Sequence, residues 1–281
     1  MSALPIDPSA YAGEPQTARR GGIGMPINVN LELTDHCNIK CPMCSQSLRD
    51  DAHGAPKRFM SWATWRTLLM GLEDMDEEVH LCPHWLGEPT IHPEFDAFLE
   101  YAFTINEDFR LFREFKLHTN AVVFDGDRAQ RLIDLALLAG GDPPCFRTLH
   151  FSIDAFSAAS YRKTKGADRR DQVFQNVERF LRLRTKLGAR APLAHLAFVV
   201  QPDNFHEAGD FLHHWQCLLD ELGLPLDVCF DWPSGPNDAV YFRPLNCGDQ
   251  DEADRLHRPG CQTLGLVGQD APERLRAAES F

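Results

Sequence analysis

The chain has 281 residues, of which 43% are hydrophobic and 25% are charged, which is typical of a globular protein with one sizeable core. Its net charge of −13 disfavours general attraction to nucleic acid or to an anionic membrane surface, so we expect neither partner. No apolar run approaches the roughly 18 residues that a membrane-spanning helix needs, and no secretory signal opens the chain. Nine cysteines without such a signal argue against a disulfide framework, so we expect a cytoplasmic location with reduced thiols.

After residues 1–25, which we interpret as a flexible leader, strand and helix patterns alternate along the chain. Alternating apolar residues such as Ile27, Val29 and Leu31 indicate a strand, whereas apolar residues spaced three and four apart indicate a helix. The predicted strands cover residues 27–33, 79–83, 115–119, 148–153, 193–200 and 226–230. The predicted helices cover residues 61–72, 93–103, 127–139, 171–187 and 205–222.

This alternation predicts the α/β class, with strands paired in parallel through right-handed crossovers. Six units favour a partial (β/α)6 TIM-like barrel over residues 26–232, and an open doubly wound sheet is the rival. In both architectures ligands bind at the carboxyl ends of the strands. A break at residues 233–236 precedes a region poor in apolar residues. We therefore predict a short irregular C-terminal tail over residues 233–281, with a short helix near 273–278 as its single element.

A triplet of cysteines, Cys37, Cys41 and Cys44, follows the first predicted strand with CxxxCxxC spacing. Three thiolates within eight residues can surround one metal centre. Three protein ligands on a four-iron cluster leave one iron open, and an open position distinguishes a catalytic metal site from a structural one. Two alternatives stay open: a zinc site completed by His36 or His53, and a cysteine cluster without a metal.

Residues 37–44, CNIKCPMC, placed after a first strand, resemble the signature of the radical S-adenosylmethionine (radical SAM) superfamily. The resemblance covers about residues 27–232. It implies a [4Fe–4S] cluster on the three cysteines and S-adenosylmethionine bound at the open iron. One electron then cleaves the cofactor to a 5′-deoxyadenosyl radical, which abstracts hydrogen from a substrate. In that family the residue before the third cysteine packs near adenine, and Met43 has this position here.

Two later strand ends carry motifs similar to those of the same family. Gly87 and Glu88 belong to a Gly-Glu-Pro step that resembles the family's GGEP motif. The resemblance implies that Gly87 allows close approach of the cofactor and that Glu88 directs negative charge at its methionyl ammonium. Thr119 and Asn120 resemble a Thr-Asn-Gly step, in which Ala121 replaces the glycine.

The fourth strand ends in a step similar to the family's Ser-Ile-Asp. The resemblance implies that Ser152 contacts the cofactor's ribose or carboxylate, and that Asp154 either joins it or caps the following turn. Lys165 stands where relatives have an arginine that meets the cofactor's carboxylate. A lysine offers a point charge there in place of a bidentate fork.

Candidate substrate-pocket residues are His84, at the end of the second strand, and Gln201, after the fifth. His80, Cys82 and His84 alternate on one side of the second strand. Side chains that face the core or the substrate are the favoured interpretation of this pattern, and a metal site is the alternative. No catalytic base is singled out, because abstraction by a radical needs none.

The resemblance implies a peptide or small-molecule substrate, modified by oxidation, cross-linking or epimerisation, and hence an oxidoreductase-type enzyme. It also implies an external electron donor of the flavodoxin or ferredoxin type. The alternatives are a radical methyl or group transferase and a non-catalytic zinc or iron–sulfur protein. Residues 258–264 resemble the start of an auxiliary-cluster extension, but no cysteine follows Cys261. We therefore expect no complete auxiliary site, because this region is either truncated or vestigial.

Overall fold

The computed structural model describes residues 25–47, 58–141 and 143–245. Several features of the sequence lie outside these ranges: the leader up to residue 24, His53, Cys247, Cys261 and the helix predicted near 273–278. None of the described helices combines the length and the apolar character that crossing a membrane requires.

Seven strands form one parallel sheet in the order β1-β2-β3-β4-β5-β7-β6. The strands are β1 Ile27–Asn30, β2 Val79–Cys82, β3 Glu114–Thr119, β4 Phe146–Ser152, β5 Leu193–Val200, β6 Leu226–Cys229 and β7 Asp238–Pro244. The helices are α1 Trp62–Gly71, α2 Phe95–Phe109, α3 Gly126–Ala139, α4 Ala158–Lys165, α5 Arg170–Lys186 and α6 Ala208–Leu222. The predicted α/β class with parallel pairing is confirmed, and β1 and β6 are the two edges of the sheet.

Two elements were not predicted from the sequence. Helix α4 turns Ser160, Thr164 and Lys165 inward, so it lacks the apolar stripe that identifies the other helices. Strand β7 lies between β5 and β6, and the sheet therefore continues past residue 232, where an irregular tail was expected. The helix predicted over residues 93–103 begins at Phe95 and continues to Phe109.

Alternation along the central strands separates a helix-covered face from an inner face. Phe151 of β4 contacts the ring of Phe180 in α5, with ring centroids 5.4 Å apart. Phe198 of β5 contacts the ring of Phe211 in α6, with centroids 4.9 Å apart. Because successive strand residues point to opposite faces, the neighbours of these phenylalanines point away from the helices. We call that second side the inner face.

A buried ion pair joins α5 to β7. Arg184 and Asp238 are 1% and 3% exposed, and one guanidinium nitrogen lies 2.7 Å from the Asp238 carboxylate. The same carboxylate accepts a hydrogen bond of 2.7 Å from the Ala194 backbone N–H of β5. Asp238 therefore attaches the late strand both to the sheet and to the helix layer.

We expect Asp238→Ala to lower the free energy of unfolding by about 3–5 kcal/mol, because it leaves the Arg184 charge buried without a partner. Chemical denaturation of the purified chain measures this loss. The control is Glu221→Ala, which breaks the exposed pair with Arg182 and is expected to leave the denaturation midpoint near that of the wild type. Equal midpoints for the two variants would contradict a structural role for the buried pair.

Candidate functional site

The three cysteines lie on an irregular loop, residues 34–44, that follows β1 at the carboxyl edge of the sheet. Leu33 and Ile39 are buried and fix the loop to the core. Thr34 forms an isolated antiparallel bridge with Phe59. We call residues 34–44 the cysteine loop.

The Gly-Glu-Pro step packs directly against the cysteine loop. A Cβ atom built on Gly87 would lie 1.8 Å from the backbone oxygen of Thr34, so only glycine fits there. The Gly87 N–H donates a hydrogen bond of 2.9 Å to the Glu32 carboxylate, and the Glu88 N–H donates one of 2.8 Å to the His36 carbonyl. The close approach that Gly87 allows in this structure is therefore to the chain's own loop.

A second glycine contacts the other side of the cysteine loop. Gly166 follows α4 with a φ of +64°, and a Cβ atom there would lie 2.0 Å from the backbone oxygen of Lys40. Both the backbone conformation and the space thus require glycine. We call these two contacts, Gly87 on Thr34 and Gly166 on Lys40, the glycine clamp.

Glu88 is a buried junction between the ends of β2 and β3. Its Oε1 accepts hydrogen bonds from the hydroxyls of Thr90 at 2.5 Å and Thr119 at 2.7 Å. Its Oε2 accepts one from the Asn120 N–H at 2.7 Å. Burial raises the pKa of Glu88, and these hydrogen bonds act in the opposite direction. Glu88, Thr119 and Asn120 were all predicted site residues, and the structure joins them through hydrogen bonds to the Glu88 carboxylate.

Asn120 connects this junction to the cysteines. Its side-chain Nδ2 lies 2.8 Å from the Asn38 Oδ1 and 3.7 Å from the Cys37 Sγ. The next residue, Ala121, has a φ of +60°, the left-handed conformation that favours the glycine found in the similar motif. The turn therefore keeps the geometry of a Thr-Asn-Gly step despite the substitution.

Ser152, Asp154 and Lys165 form a second buried junction, on the other side of the loop. The Lys165 Nζ lies 2.6 Å from an Asp154 carboxylate oxygen and 3.2 Å from the Ser152 hydroxyl. Burial disfavours charge on Lys165, but the Asp154 carboxylate and then Cys41 raise its pKa. Asp154 also accepts a hydrogen bond of 2.8 Å from the Val199 N–H, which ties β4 to β5. The lysine predicted to face the cofactor's carboxylate is thus already paired within the chain.

The end of β5 reaches the cysteine loop through Gln201. Its Nε2 lies 3.3 Å from the Met43 sulfur, which places it beside the loop. Asn204 is fully buried and donates to the carbonyls of Asp154 and Val199 at 2.7 and 2.8 Å, so its role is structural.

The cysteine thiols fit a cluster by their donor chemistry. Burial raises the pKa of Cys37 to about 11 and also raises that of Cys41, whereas the Lys165 charge lowers both. Binding iron therefore releases thiol protons, and the lysine favours the thiolate form. Among the described residues, no group of three or more His, Cys, Asp or Glu meets at a point suited to one metal ion. A four-iron cubane distributes its thiolates over separate irons.

Four histidines cross the inner face on neighbouring strands, one layer below the Ser152 hydroxyl. The imidazole of His84, just after β2, stacks on His118 of β3 at 5.1 Å between centroids, and His118 stacks on His150 of β4 at 4.4 Å. His195 of β5 meets His150 edge-on at 6.4 Å. We call these four residues the histidine row. His84 was a candidate from the sequence, and the other three could have been found from their alternation with the motif residues on β3, β4 and β5.

His80 and Cys82 do not join the histidine row. The His80 Nε2 lies 3.2 Å from a Glu78 carboxylate oxygen, and Cys82 is a buried thiol whose pKa burial raises to about 12. Cys82 thus faces the core, as one of the favoured interpretations had it, whereas His80 pairs with a surface carboxylate.

Comparison with known proteins gives one family match: the family model of the radical SAM superfamily matches residues 31–211, more than half of the chain. Among curated proteins, the cofactor-modifying protein of the tungsten-containing aldehyde ferredoxin oxidoreductase from Pyrococcus furiosus is 23% identical over 212 residues. The match covers 75% of this chain and 54% of that protein. The PqqA peptide cyclase of Bradyrhizobium diazoefficiens is 28% identical over 125 residues, which are 44% of this chain and 30% of that protein.

Two solved structures share the fold. The structure of anSMEcpe with bound AdoMet and a Cp18Cys peptide has a TM-score of 0.51 at 14% identity, covering 78% of this chain and 51% of that one. The FeFe-hydrogenase maturase HydG of Carboxydothermus hydrogenoformans has a TM-score of 0.53 at 15% identity, covering 90% and 56%. The parallel sheet does not close on itself, and its fold is shared with these structures. Together these observations confirm the predicted partial barrel.

We expect Gly166→Ala to reduce the iron bound after anaerobic reconstitution to less than half of the wild-type value, because the new Cβ displaces the Lys40 backbone. Gly188→Ala is the matched control, since Gly188 has a φ of +67° with no atom within 4 Å of a built Cβ. Both variants adopt an unfavourable left-handed alanine, which costs roughly 1–2 kcal/mol. Iron content that falls equally in both would show that backbone strain, and not the contact with the loop, causes the loss.

Proposed function

The chain belongs to the radical SAM superfamily, and from that premise we propose that it is an oxidoreductase-type enzyme acting on a peptide or small molecule. In this proposal it reductively cleaves S-adenosylmethionine and abstracts a hydrogen atom from its substrate. Its cofactors are a [4Fe–4S] cluster and S-adenosylmethionine, as family membership implies. The observation that carries the proposal is the cysteine loop, held by the glycine clamp between two buried polar junctions at the carboxyl edge of the sheet.

Cys37, Cys41 and Cys44 would hold the cluster through their thiolates. When bound, the cluster supplies an electron that cleaves S-adenosylmethionine, which in turn supplies the radical that removes hydrogen from the substrate. The chain positions the loop through the clamp, donates the Asn120 amide toward the Cys37 sulfur, and presents the positive charge of Lys165 to the thiolates. Hydrogen bonds to cluster sulfurs and nearby charge set the reduction potential in proteins of this kind.

We further propose that S-adenosylmethionine binds across Met43 of the cysteine loop and the residues that surround the loop. The surrounding residues are Gly87, Glu88, Thr119, Asn120, Ser152, Asp154 and Lys165. Among the described residues, the Oε2 of Glu88 accepts a hydrogen bond from the Asn120 N–H alone, so it retains acceptor capacity for the methionyl ammonium. The Ser152 hydroxyl lies beside Lys165, where a carboxylate or a ribose hydroxyl would find donors.

The substrate and the electron donor are proposals too, because the chain spans 54% and 30% of the two curated relatives' lengths. One relative's name describes a peptide cyclase and the other's a cofactor-modifying protein, which supports a peptide or a small molecule as the substrate. We propose a flavodoxin or ferredoxin as the external reductant and the cytoplasm as the location. His84 and Gln201 are the proposed substrate-side residues.

We expect the reconstituted wild-type chain, given dithionite and S-adenosylmethionine under anaerobic conditions, to form 5′-deoxyadenosine. Cys37→Ser, Cys41→Ser and Cys44→Ser should each abolish the product and lower the iron bound, because each removes a cluster ligand. Cys217→Ser is the control, since Cys217 is exposed on α6, and it should behave as the wild type. Product formation is measured by liquid chromatography with mass detection.

Three results would contradict this proposal, each in a different way. An intact cluster that gives no 5′-deoxyadenosine would rule out the cleavage. Accumulation of S-adenosylhomocysteine would indicate methyl transfer as the reaction. One zinc per chain, without absorbance at about 400 nm, would indicate a non-catalytic zinc protein.

We expect Ser152→Ala to raise several-fold the concentration of S-adenosylmethionine that gives half-maximal 5′-deoxyadenosine formation, because it removes a hydroxyl beside Lys165. The Asp154–Lys165 ion pair remains, so the fold should be little changed. Ser61→Ala is the control: it removes the N-cap of α1, which costs about 0.5–2 kcal/mol, and the Ser61 hydroxyl bonds to Thr64 and not to the Ser152–Lys165 junction. If both variants change the half-saturating concentration alike, a loss of stability explains the effect and Ser152 is not a cofactor contact.

A further inference from the structure

The histidine row has buried ring nitrogens with no partner. His150 and His195 are 4% and 0% exposed. The Nδ1 of His150 and both ring nitrogens of His195 lack a hydrogen-bond partner among the described residues. An unpaired buried polar atom is costly and calls for a partner such as a water, an ion or a ligand group. Three such nitrogens on two neighbouring strands make the inner face a candidate site for a polar ligand.

Positive charge surrounds the row, although the chain carries a net charge of −13. Burial is the main reason that the pKa of His118 lies well below its usual range, and the neighbouring imidazoles, Arg243 and Lys116 lower it further. For His195, burial and then Arg147 and Lys116 lower the pKa to about 4. The four imidazoles are thus neutral at pH 7, among three cations.

Arg243 is the cation available to a ligand. It is half-buried on β7 and pairs with Val199, two inner-face positions beyond His195, and its charge acts on His118 and His150. Among the described residues it forms neither a hydrogen bond nor an ion pair. Lys116 and Arg147 are already engaged: Lys116 with Glu114 at 3.6 Å and Asn28 at 3.2 Å, and Arg147 with the backbone oxygens of residues 234 and 235.

The charges that act most strongly on His118, His150 and His195 are all positive. Glu114 is paired with Lys116 at 3.6 Å, and the charge of Asp231 acts on Tyr241 of β7, whose ring lies 6.1 Å from that of His150. The ring of Trp232 stacks at 5.7 Å over His118 and covers part of the row. A ligand at the row would therefore meet mainly positive charge.

We propose that the histidine row and Arg243 bind an oxyanionic group of the substrate, a carboxylate or a phosphate. The proposal rests on the proposed function, since it names the chemical class of the substrate for the same partial barrel. His150 and Ser152 are two residues apart on the inner face, so the row lies about 6.6 Å below the level of the Ser152 hydroxyl. Arg243 lies two inner-face positions above the row on β7, so the oxyanion would lie between the row and Arg243, with the rest of the substrate toward the cysteine loop.

The test is isothermal titration of the purified full chain with sodium sulfate and, separately, with sodium acetate. Sulfate represents a phosphate and acetate a carboxylate, and the one that binds more tightly identifies the group. We expect saturable binding with one site per chain, weakened at least tenfold by Arg243→Gln. Arg190→Gln removes an equal charge from an exposed position before β5, which does not act on His195, and should bind as the wild type.

Proton linkage supplies a second readout. The groups that face the row are Lys116, Arg147, Arg243 and Tyr241, and sulfate keeps its charge between pH 5.5 and 8. Since the imidazoles are neutral when unliganded, an oxyanion raises their pKa, and the row takes up protons on binding. Sulfate should therefore bind more tightly at pH 5.5 than at pH 8, and the ring-nitrogen NMR signals of His150 and His195 should move on titration.

Two outcomes would overturn this inference: no saturable binding of either anion, or equal weakening by Arg243→Gln and Arg190→Gln. Neither bears on cofactor cleavage, because the titration uses no cluster, reductant or S-adenosylmethionine. A wild-type chain that forms 5′-deoxyadenosine but binds no anion refutes the oxyanion site alone. A chain that binds the anion but cleaves no cofactor refutes the proposed function alone.

Discussion

The cysteine loop depends on two places where backbone packs directly on backbone. β1 has four residues, and the loop that follows it pairs with neighbouring backbone at only one antiparallel bridge among the described residues, Thr34 with Phe59. Its position comes from Gly87 against Thr34 and from Gly166 against Lys40, where built Cβ atoms would lie within 1.8 and 2.0 Å of carbonyl oxygens. Contacts between backbones involve no rotamers, so they fix the loop more closely than side-chain contacts of equal area would.

The two junctions beside the clamp differ in charge. Glu88 is satisfied by neutral donors and keeps a raised pKa, whereas Asp154 is satisfied by the Lys165 ammonium. The loop therefore has a carboxylate on one side and an ion pair on the other. Glu88 raises the pKa of the Cys37 thiol and Lys165 lowers it, so two buried residues, one after β2 and one at the end of α4, set the polarity of the site. The two junctions also join neighbouring strands, so the same residues contribute both charge to the site and stability to the fold.

The sequence predicted those strands and helices whose apolar residues repeat at a regular spacing. Strand β5 matched its predicted bounds, and the motifs at the ends of β2, β3 and β4 meet around the cysteines because parallel strands end at the same edge. Helix α4 was missed because its buried face is polar. Strand β7 was missed because Asp238, its buried acid, is paired with Arg184, a residue distant in the sequence. The contact of Gly87 with the chain's own loop could not be predicted, since no local pattern encodes an approach between two loops.

The inner face carries two layers of different polarity, and strand alternation links them. Ser152 belongs to the ion-paired layer beside the cysteine loop, and His150, two residues earlier, belongs to the row of neutral imidazoles. Burial keeps charge off the histidines, and the cations around them would make imidazolium more costly still. An anion would offset both effects, which is why the proposed ligand of the row is an anion. The same alternation that makes β4 a strand thus sets the proposed cofactor contact at Ser152 one step above the proposed oxyanion site.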